Sequence, residues 1–175
     1  MSNPSLAPNA LQKPLKRVKV AKKRRPLDKK TKPELIKEAD KWFSRCVRLR
    51  DSDIQADGSW AGVCIDGCNK LIGVLSPEGK WCAGSNIGHF VGRGAMITRY
   101  DDENCNLQGA YCNAWRDKIS MLEGYAKGLD MKYGDGTASK LKKLGKQECK
   151  LTREELLEII HDSKAQVDFY TRQLL

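Results

Sequence analysis

The stretch Asn86–Asn113, NIGHFVGRGAMITRYDDENCNLQGAYCN, decides how the rest of the chain is read. It sets a histidine inside a short apolar run (Ile87, His89, Phe90, Val91), then a Gly/Arg-rich loop, then an asparagine in an acidic turn, and last a Cys-Asn pair opening a helical pattern. Trp81 to Val91 reads as the strand that carries His89, with Ser76-Pro-Glu-Gly79 as the turn before it. Residues 92–111 read as one long loop, a length that in a compact domain usually carries function. Gly92 and Gly94 would let its backbone approach a phosphate, with Arg93 or Arg99 supplying charge. A plain surface loop is the alternative.

Outward from this stretch the pattern is helical on both sides. Thr31 and Glu34 form a capping-box pair with Pro33 in the first turn, and Leu35, Ala39, Trp42, Cys46 and Leu49 recur at helical spacing as far as about Leu49, with Phe43 and Val47 widening the stripe. Arg45, Arg48 and Arg50 near its end suit the helix dipole as well as they would suit DNA. Two short strands follow, Trp60–Cys64 and Leu71–Leu75, joined through the Cys-x3-Cys knuckle of Cys64 and Cys68. Thiolates at that separation can share one tetrahedral zinc or pack as free thiols. Downstream, Cys112 and Asn113 start a helix expected to reach Lys132, with Trp115, Ile119, Leu122, Ala126 and Leu129 on its core face. A short basic helix over Thr137–Leu144 comes next. A last helix begins at the second capping pair, Thr152 and Glu155, and carries Leu156, Ile160, Val167, Tyr170 and Leu174 on one stripe. That stripe suits either the domain itself or a second copy of the chain.

Charge divides the 175 residues sharply. The formal net charge is +10, and Met1–Lys32 holds eleven Lys/Arg against the single acid Asp28, leaving 21 basic and 21 acidic residues over 33–175. The arm, with KRVKVAKKRR at its heart and four prolines, lacks hydrophobic periodicity and is expected to be disordered. Its clustered cations, Lys22, Lys23, Arg24 and Arg25 among them, would capture phosphates by counterion release. Seven cysteines, an odd number with no signal peptide ahead of them, suggest a reducing cytoplasm, and no run is long and apolar enough for a membrane span. The expected division is residues 1–32 as basic arm, 33–146 as catalytic domain and 147–175 as a C-terminal helix suited to dimerisation.

Phosphodiester hydrolysis asks a protein for a base to deprotonate water, a cation on the scissile phosphate and groups that hold the geometry. An imidazole with an ordinary pKa is mostly neutral at pH 7, which makes His89 the candidate base. Asn113 can offer its side-chain oxygen to a Mg²⁺ or Mn²⁺ ion that keeps several waters. Asn104 sits where an amide could brace the long loop or orient the imidazole through a backbone carbonyl. His161 reads as a surface residue.

Gly88-His89-Phe90, then Tyr100-Asp-Asp-Glu-Asn104, then Cys112-Asn113 resembles the HNH (His-Me finger) nucleases, whose site is a ββα-metal core. More closely, the chain is similar to the NinG/Rap family of lambdoid-phage recombination proteins. FSRCVRLRD (Phe43–Asp51), Cys68-Asn-Lys70 and YAKGLDMKYGDGTASKL extend the likeness over roughly Lys32–Leu144. The resemblance implies an α+β fold, a ββα-metal core flanked by several α-helices. It implies a metal-dependent endonuclease acting on branched DNA such as Holliday junctions, with His89 as general base, Asn104 as the middle asparagine and Asn113 as metal ligand. It also implies a structural zinc on Cys64, Cys68 and Cys112, completed by Cys82 or Cys105. Three features depart from that pattern: Gly88 stands where an acidic ligand often precedes the base, Gly109 where a further zinc cysteine is expected, and the amino-terminal arm has basic residues where zinc-binding cysteines are expected. Those departures motivate the rival reading, a zinc-knuckle DNA-binding protein without catalysis. Resolving a four-way junction takes two symmetric cuts, so a two-fold homodimer is the expected assembly.

Overall fold

The structure, a computed structural model, describes residues 25–115 and 117–172. The basic arm therefore lies outside the described residues up to residue 24, with Lys22, Lys23 and Arg24 in that part. The elements run α1 (Lys32–Arg50), β1 (Asp53–Ile54), β2 (Trp60–Val63), β3 (Leu71–Leu75), β4 (Ser85–His89), β5 (Cys105–Gly109), α2 (Ala110–Ala114), α3 (Lys118–Tyr133), α4 (Thr137–Leu144) and α5 (Arg153–Arg172). The class is mixed α+β, as expected: β1, β2 and β3 form one antiparallel sheet, and β4 and β5 form a second.

Helix α1 starts where Thr31 and Glu34 place it, the Glu34 carboxylate accepting from the Thr31 backbone N–H at 2.8 Å and from its hydroxyl at 2.9 Å. The same pairing opens α5, where Glu155 accepts from the Thr152 N–H at 2.6 Å. The apolar side of α1 meets two partners. Leu35 and Ala39 pack on Leu156 and Ile160 of α5, while Phe43 and Val47 pack on Ile87 of β4 and Cys105 of β5. Val167 of α5 joins Leu49, Trp60, Val74, Leu75 and Leu107 in the core beneath the larger sheet. Most of the C-terminal stripe is thus used inside the chain; Leu174 lies outside the described residues. Even the end of the expected arm is held, because the Arg153 guanidinium donates to the carbonyls of Leu27, Asp28 and Lys30 at 3.1, 2.7 and 2.7 Å.

Two expectations need correction. The loop expected over residues 92–111 contains β5, paired antiparallel with β4 so that His89 lies opposite Cys105 and Gly88 opposite Asn106. All five β5 residues are buried, and two of them, Asn106 and Gln108, are polar. No apolar alternation therefore marks the strand. Asn106 is accommodated because Lys132 Nζ and the Tyr133 hydroxyl both donate to its Oδ1, at 2.8 and 2.9 Å.

The helix expected from Cys112 to Lys132 is two helices. α3 restarts at Lys118, capped by Asp117, which accepts from the Ser120 N–H at 2.9 Å. The break turns Trp115 and Ile119 outward at 79% and 70% exposure, while Leu129 is buried as expected together with Tyr125, and Leu122 and Ala126 pack against them. After Tyr133 the chain reverses through Gly134 and Gly136, both at positive φ (105° and 86°), a conformation that disfavours any side chain.

Because α5 stabilises α1 through Ile160, which is fully buried, Ile160→Ala should lower unfolding free energy by about 2–5 kcal/mol. A denaturant titration reads this directly, and a change below about 1 kcal/mol would show that α5 is not part of the cooperative core.

Candidate functional site

β4 ends on His89, and the residues around it fix the backbone on both sides. Asn104, fully buried, accepts the Val91 N–H on Oδ1 at 2.7 Å and donates Nδ2 to the carbonyls of Val91 and Thr98 at 3.0 and 2.8 Å. Its own backbone carbonyl accepts from the Phe90 N–H at 3.1 Å. It holds the loop and does not itself reach the cleft that His89 lines, which is the bracing role its position suggested. Tyr125 closes the other side, its hydroxyl donating to the Gly88 carbonyl at 2.9 Å and accepting from the Asn106 N–H at 3.1 Å.

The His89 ring is partly buried. Burial lowers its pKa from the ordinary 6.5 to about 4, and the nearby Arg93 charge pushes the same way, while the Arg99 backbone carbonyl that accepts from the ring opposes them. The imidazole is neutral at pH 7 and has a nitrogen available as a base. Position 88 has no room for a side chain: a Cβ there would lie 2.4 Å from Gln108 Oε1 and 2.6 Å from the Tyr125 ring. The acid that the resemblance leads one to look for before His89 is excluded by packing.

His89, Arg93 and Asn113 line one cleft of about 480 Å³ with Asn86, and its opposite wall is the polar side of α1. Lys37, Lys41, Arg45 and Arg48 project from that wall, at spacings of four, four and three residues that keep them on one side of the helix. Lys37 and Lys41 were passed over in the sequence, although their helical periodicity with Arg45 was the available signal. The other arginines divide. Arg50 turns away, paired with Asp51 at 2.8 Å and with Asp102 at 2.8 Å. Arg99, expected to meet DNA, is clasped by Asp40 through two hydrogen bonds of 2.9 and 2.7 Å and is structural. Arg25 sits 3.4 Å from Glu34 at the start of α1.

A second cluster lies behind α2. The ligand atoms of Cys64, Asp66, Cys68 and Cys112 all fall within 4.8 Å of one another, a set that could hold a metal ion such as zinc. Three of the four were expected; the fourth donor is Asp66, from inside the knuckle, and not Cys82 or Cys105. Cys64 Sγ approaches Asp66 Oδ1 at 3.1 Å and Cys112 Sγ approaches Cys68 Sγ at 3.5 Å. Burial raises the Cys64 thiol well above its usual range and the Cys112 thiol to about 11. Burial would raise Asp66 too, but hydrogen bonds from the three cysteines outweigh it and hold the carboxyl at about 2. At Gly109, where a thiolate was expected, the backbone N–H instead donates to Cys64 Sγ at 3.3 Å. The knuckle is completed without a fourth cysteine.

A cysteine-rich knuckle that could hold a metal, beside a cation-walled cleft that presents an imidazole, defines a class of small mixed α+β protein. The profile of the family described as Bacteriophage Lambda NinG protein matches residues 7–172, and the chain belongs to that family. It is thereby placed among phage recombination proteins. No curated protein and no solved structure gives a significant match. No helix among the described residues is long and apolar enough to cross a membrane.

Two measurements check this geometry. In a His161→Gln background, which leaves one imidazole signal, NMR titration should give His89 an apparent pKa near 4; a value at or above 6.5 would contradict the burial described. Metal analysis after purification with zinc should find a bound ion in the wild type and weakened retention in Asp66→Asn. Because bound thiols must lose protons, affinity should rise with pH.

Proposed function

We propose that the chain is a metal-dependent DNA endonuclease of phage recombination that cuts branched DNA, Holliday junctions being the substrate the family resemblance suggests. The observation that carries this reading is the shared cleft: one neutral imidazole and one exposed carboxamide face four cations of α1 across a space open to solvent. The order β4, β5, α2 around it supports the ββα-metal reading. His89 takes the proton of the attacking water, and its lowered pKa keeps it competent as a base through neutral pH. Arg93 and the α1 cations hold the phosphates on either side of the scissile bond, with the arm adding long-range attraction.

A Mg²⁺ or Mn²⁺ ion here would keep most of its waters and take substrate phosphate oxygens together with one or two side-chain oxygens. Asn113 is one such donor and Asn86 lies in the same cleft. The ion would neutralise charge on the leaving oxygen. A homodimer remains the assembly that two symmetric cuts call for; with the α5 stripe packed on α1, its contact surface would be one other than that stripe.

One observation favours a second reading, a non-catalytic DNA-binding protein. Among the described residues the only cluster of three or more His, Cys, Asp or Glu groups arranged for a metal is the Cys/Asp knuckle, away from His89.

Cleavage of four-way, flap and linear DNA with Mg²⁺ and with EDTA separates the two. The nuclease reading expects Mg²⁺-dependent cutting of the branched forms and a loss of about 10²–10⁴-fold in His89→Ala with binding retained. The acid limb of the rate profile should fall toward pH 4, since only the protonated ring is inactive and it forms late. Binding without cutting in every condition would establish the second reading.

A further inference from the structure

Two tryptophans extend the cleft in a direction that the nuclease chemistry does not use. Arg45 lies between them, its guanidinium carbon 5.0 Å from the Trp42 ring centre and 5.1 Å from that of Trp81. Arg48 stands 4.4 Å from the Trp81 ring, and Lys41 and Lys164 stand 4.9 and 5.3 Å from Trp42. Five cation–ring contacts thus fall on two indoles, Trp81 lining the cleft and Trp42 lining the neighbouring pocket. Arg48 is bound only to neutral acceptors, the carbonyls of Ser44 and Ser85 and the Ser85 hydroxyl. Burial and the neighbouring Arg45 charge together lower its pKa to about 10. Lys41 already meets the Glu38 carboxylate at 3.6 Å, so the like charges that favour an anion between them are those of Arg45 and Arg48.

Beyond the indoles the chemistry changes. Trp81 and Arg45 line the cleft and also a neighbouring pocket of about 600 Å³ set between α1, α5 and the turn before β4. Its other walls include Leu75 and Val167, with Glu78 and Asp168. Carboxylates there would repel a phosphate but accept from exocyclic amino groups, and the apolar and aromatic walls suit a flat ring. Cations on the cleft side and acids with aromatics on the other side match a nucleotide whose phosphate stays in the cleft while its base leaves the duplex.

We propose that Trp42, Arg45 and Trp81 form a stacking platform for an unpaired base next to the phosphate held in the cleft, so that the preferred DNA has single-stranded character beside the cut. This rests on the reading of the cleft as a DNA site, and it names the feature of a branch that the protein would detect. In a fully paired duplex no base is available to the platform, and only the cations act.

The test is binding in Mg²⁺ by the full chain carrying His89→Ala, with two DNAs of equal length and phosphate count, one fully paired and one with a short unpaired segment containing 2-aminopurine. The probe's fluorescence should fall on binding as the base stacks; no change would overturn the proposal without any further substitution. Adding Trp81→Leu should weaken the partly unpaired DNA roughly 5- to 150-fold more than the duplex, and Trp81→Phe should restore most of that difference. Equal loss on both DNAs, or loss on neither, would overturn it. A wild-type protein that shows the stacking signal but never cuts would remove the nuclease reading and leave the platform standing. Cutting without any Trp81 effect would do the reverse.

Discussion

The carboxamide of Asn104 stands in for a peptide group. β4 and β5 part after the His89–Cys105 pair, and the chain between them makes an excursion through residues 90–104 before returning. Asn104 closes that excursion by giving Val91 both an acceptor and a donor, as a neighbouring strand would, and by tying in Thr98. A single such bond contributes about 0.5–1.5 kcal/mol net, but leaving its buried partners unsatisfied costs about 1–3 kcal/mol each. The position of His89 therefore depends on a residue that performs no chemistry. Tyr125 acts similarly from α3, and the space its ring fills is the reason position 88 must be glycine.

Helix α1 has a comparable double function. Its apolar side is divided between α5 and the β4–β5 pair, which fixes its rotation about its own axis, and that rotation is what aims Lys37, Lys41, Arg45 and Arg48 at the cleft. The domain is close to neutral in sum, so its attraction for an anion comes from arrangement. The acids nearby are engaged locally: Asp40, which itself lines the cleft, with Arg99, and Asp51 with Arg50 and Lys132. The Asp51 carboxylate also accepts the Leu107 N–H at 2.9 Å, joining the end of α1 to β5.

Elements with strong local signals were legible in the sequence. The capping pairs at Thr31 and Thr152, the β3 strand and the Gly-rich stop after Tyr133 are all decided by nearest neighbours, and each lies where expected. β5 was not legible, because Asn106 and Gln108 are buried polar residues: Asn106 is accommodated through Lys132 and Tyr133, which are distant in sequence, and the buried Gln108 Nε2 has no hydrogen-bond partner among the described residues. The break before α3 was hidden in a pattern that alternates well enough for one helix; only the Asp117 cap betrays it. In the site, His89, Arg93 and Asn113 do share a cleft, whereas Arg99 looked like a phosphate contact because nothing local shows that Asp40, on another helix, will claim it. Asp66 was not legible as a donor, because a carboxylate between two cysteines of a turn carries no signal of its own and only the folded knuckle brings its oxygen to the thiols.

The knuckle and the cleft are joined through α2. Five residues are too few for a helix to persist on its own in water, so the place of α2 is set by what its side chains hold. Cys112 faces the knuckle, with its sulfur 3.5 Å from that of Cys68, while Asn113, the next residue, faces the cleft. Successive helical residues point in different directions, which lets one short turn be anchored by the first and functional through the second. The Gly109 N–H bonded to Cys64 fixes the same turn from its amino end. Whatever tightens the four-donor cluster therefore tightens the placement of Asn113, and the structural and chemical parts of this small domain meet at the bond between residues 112 and 113.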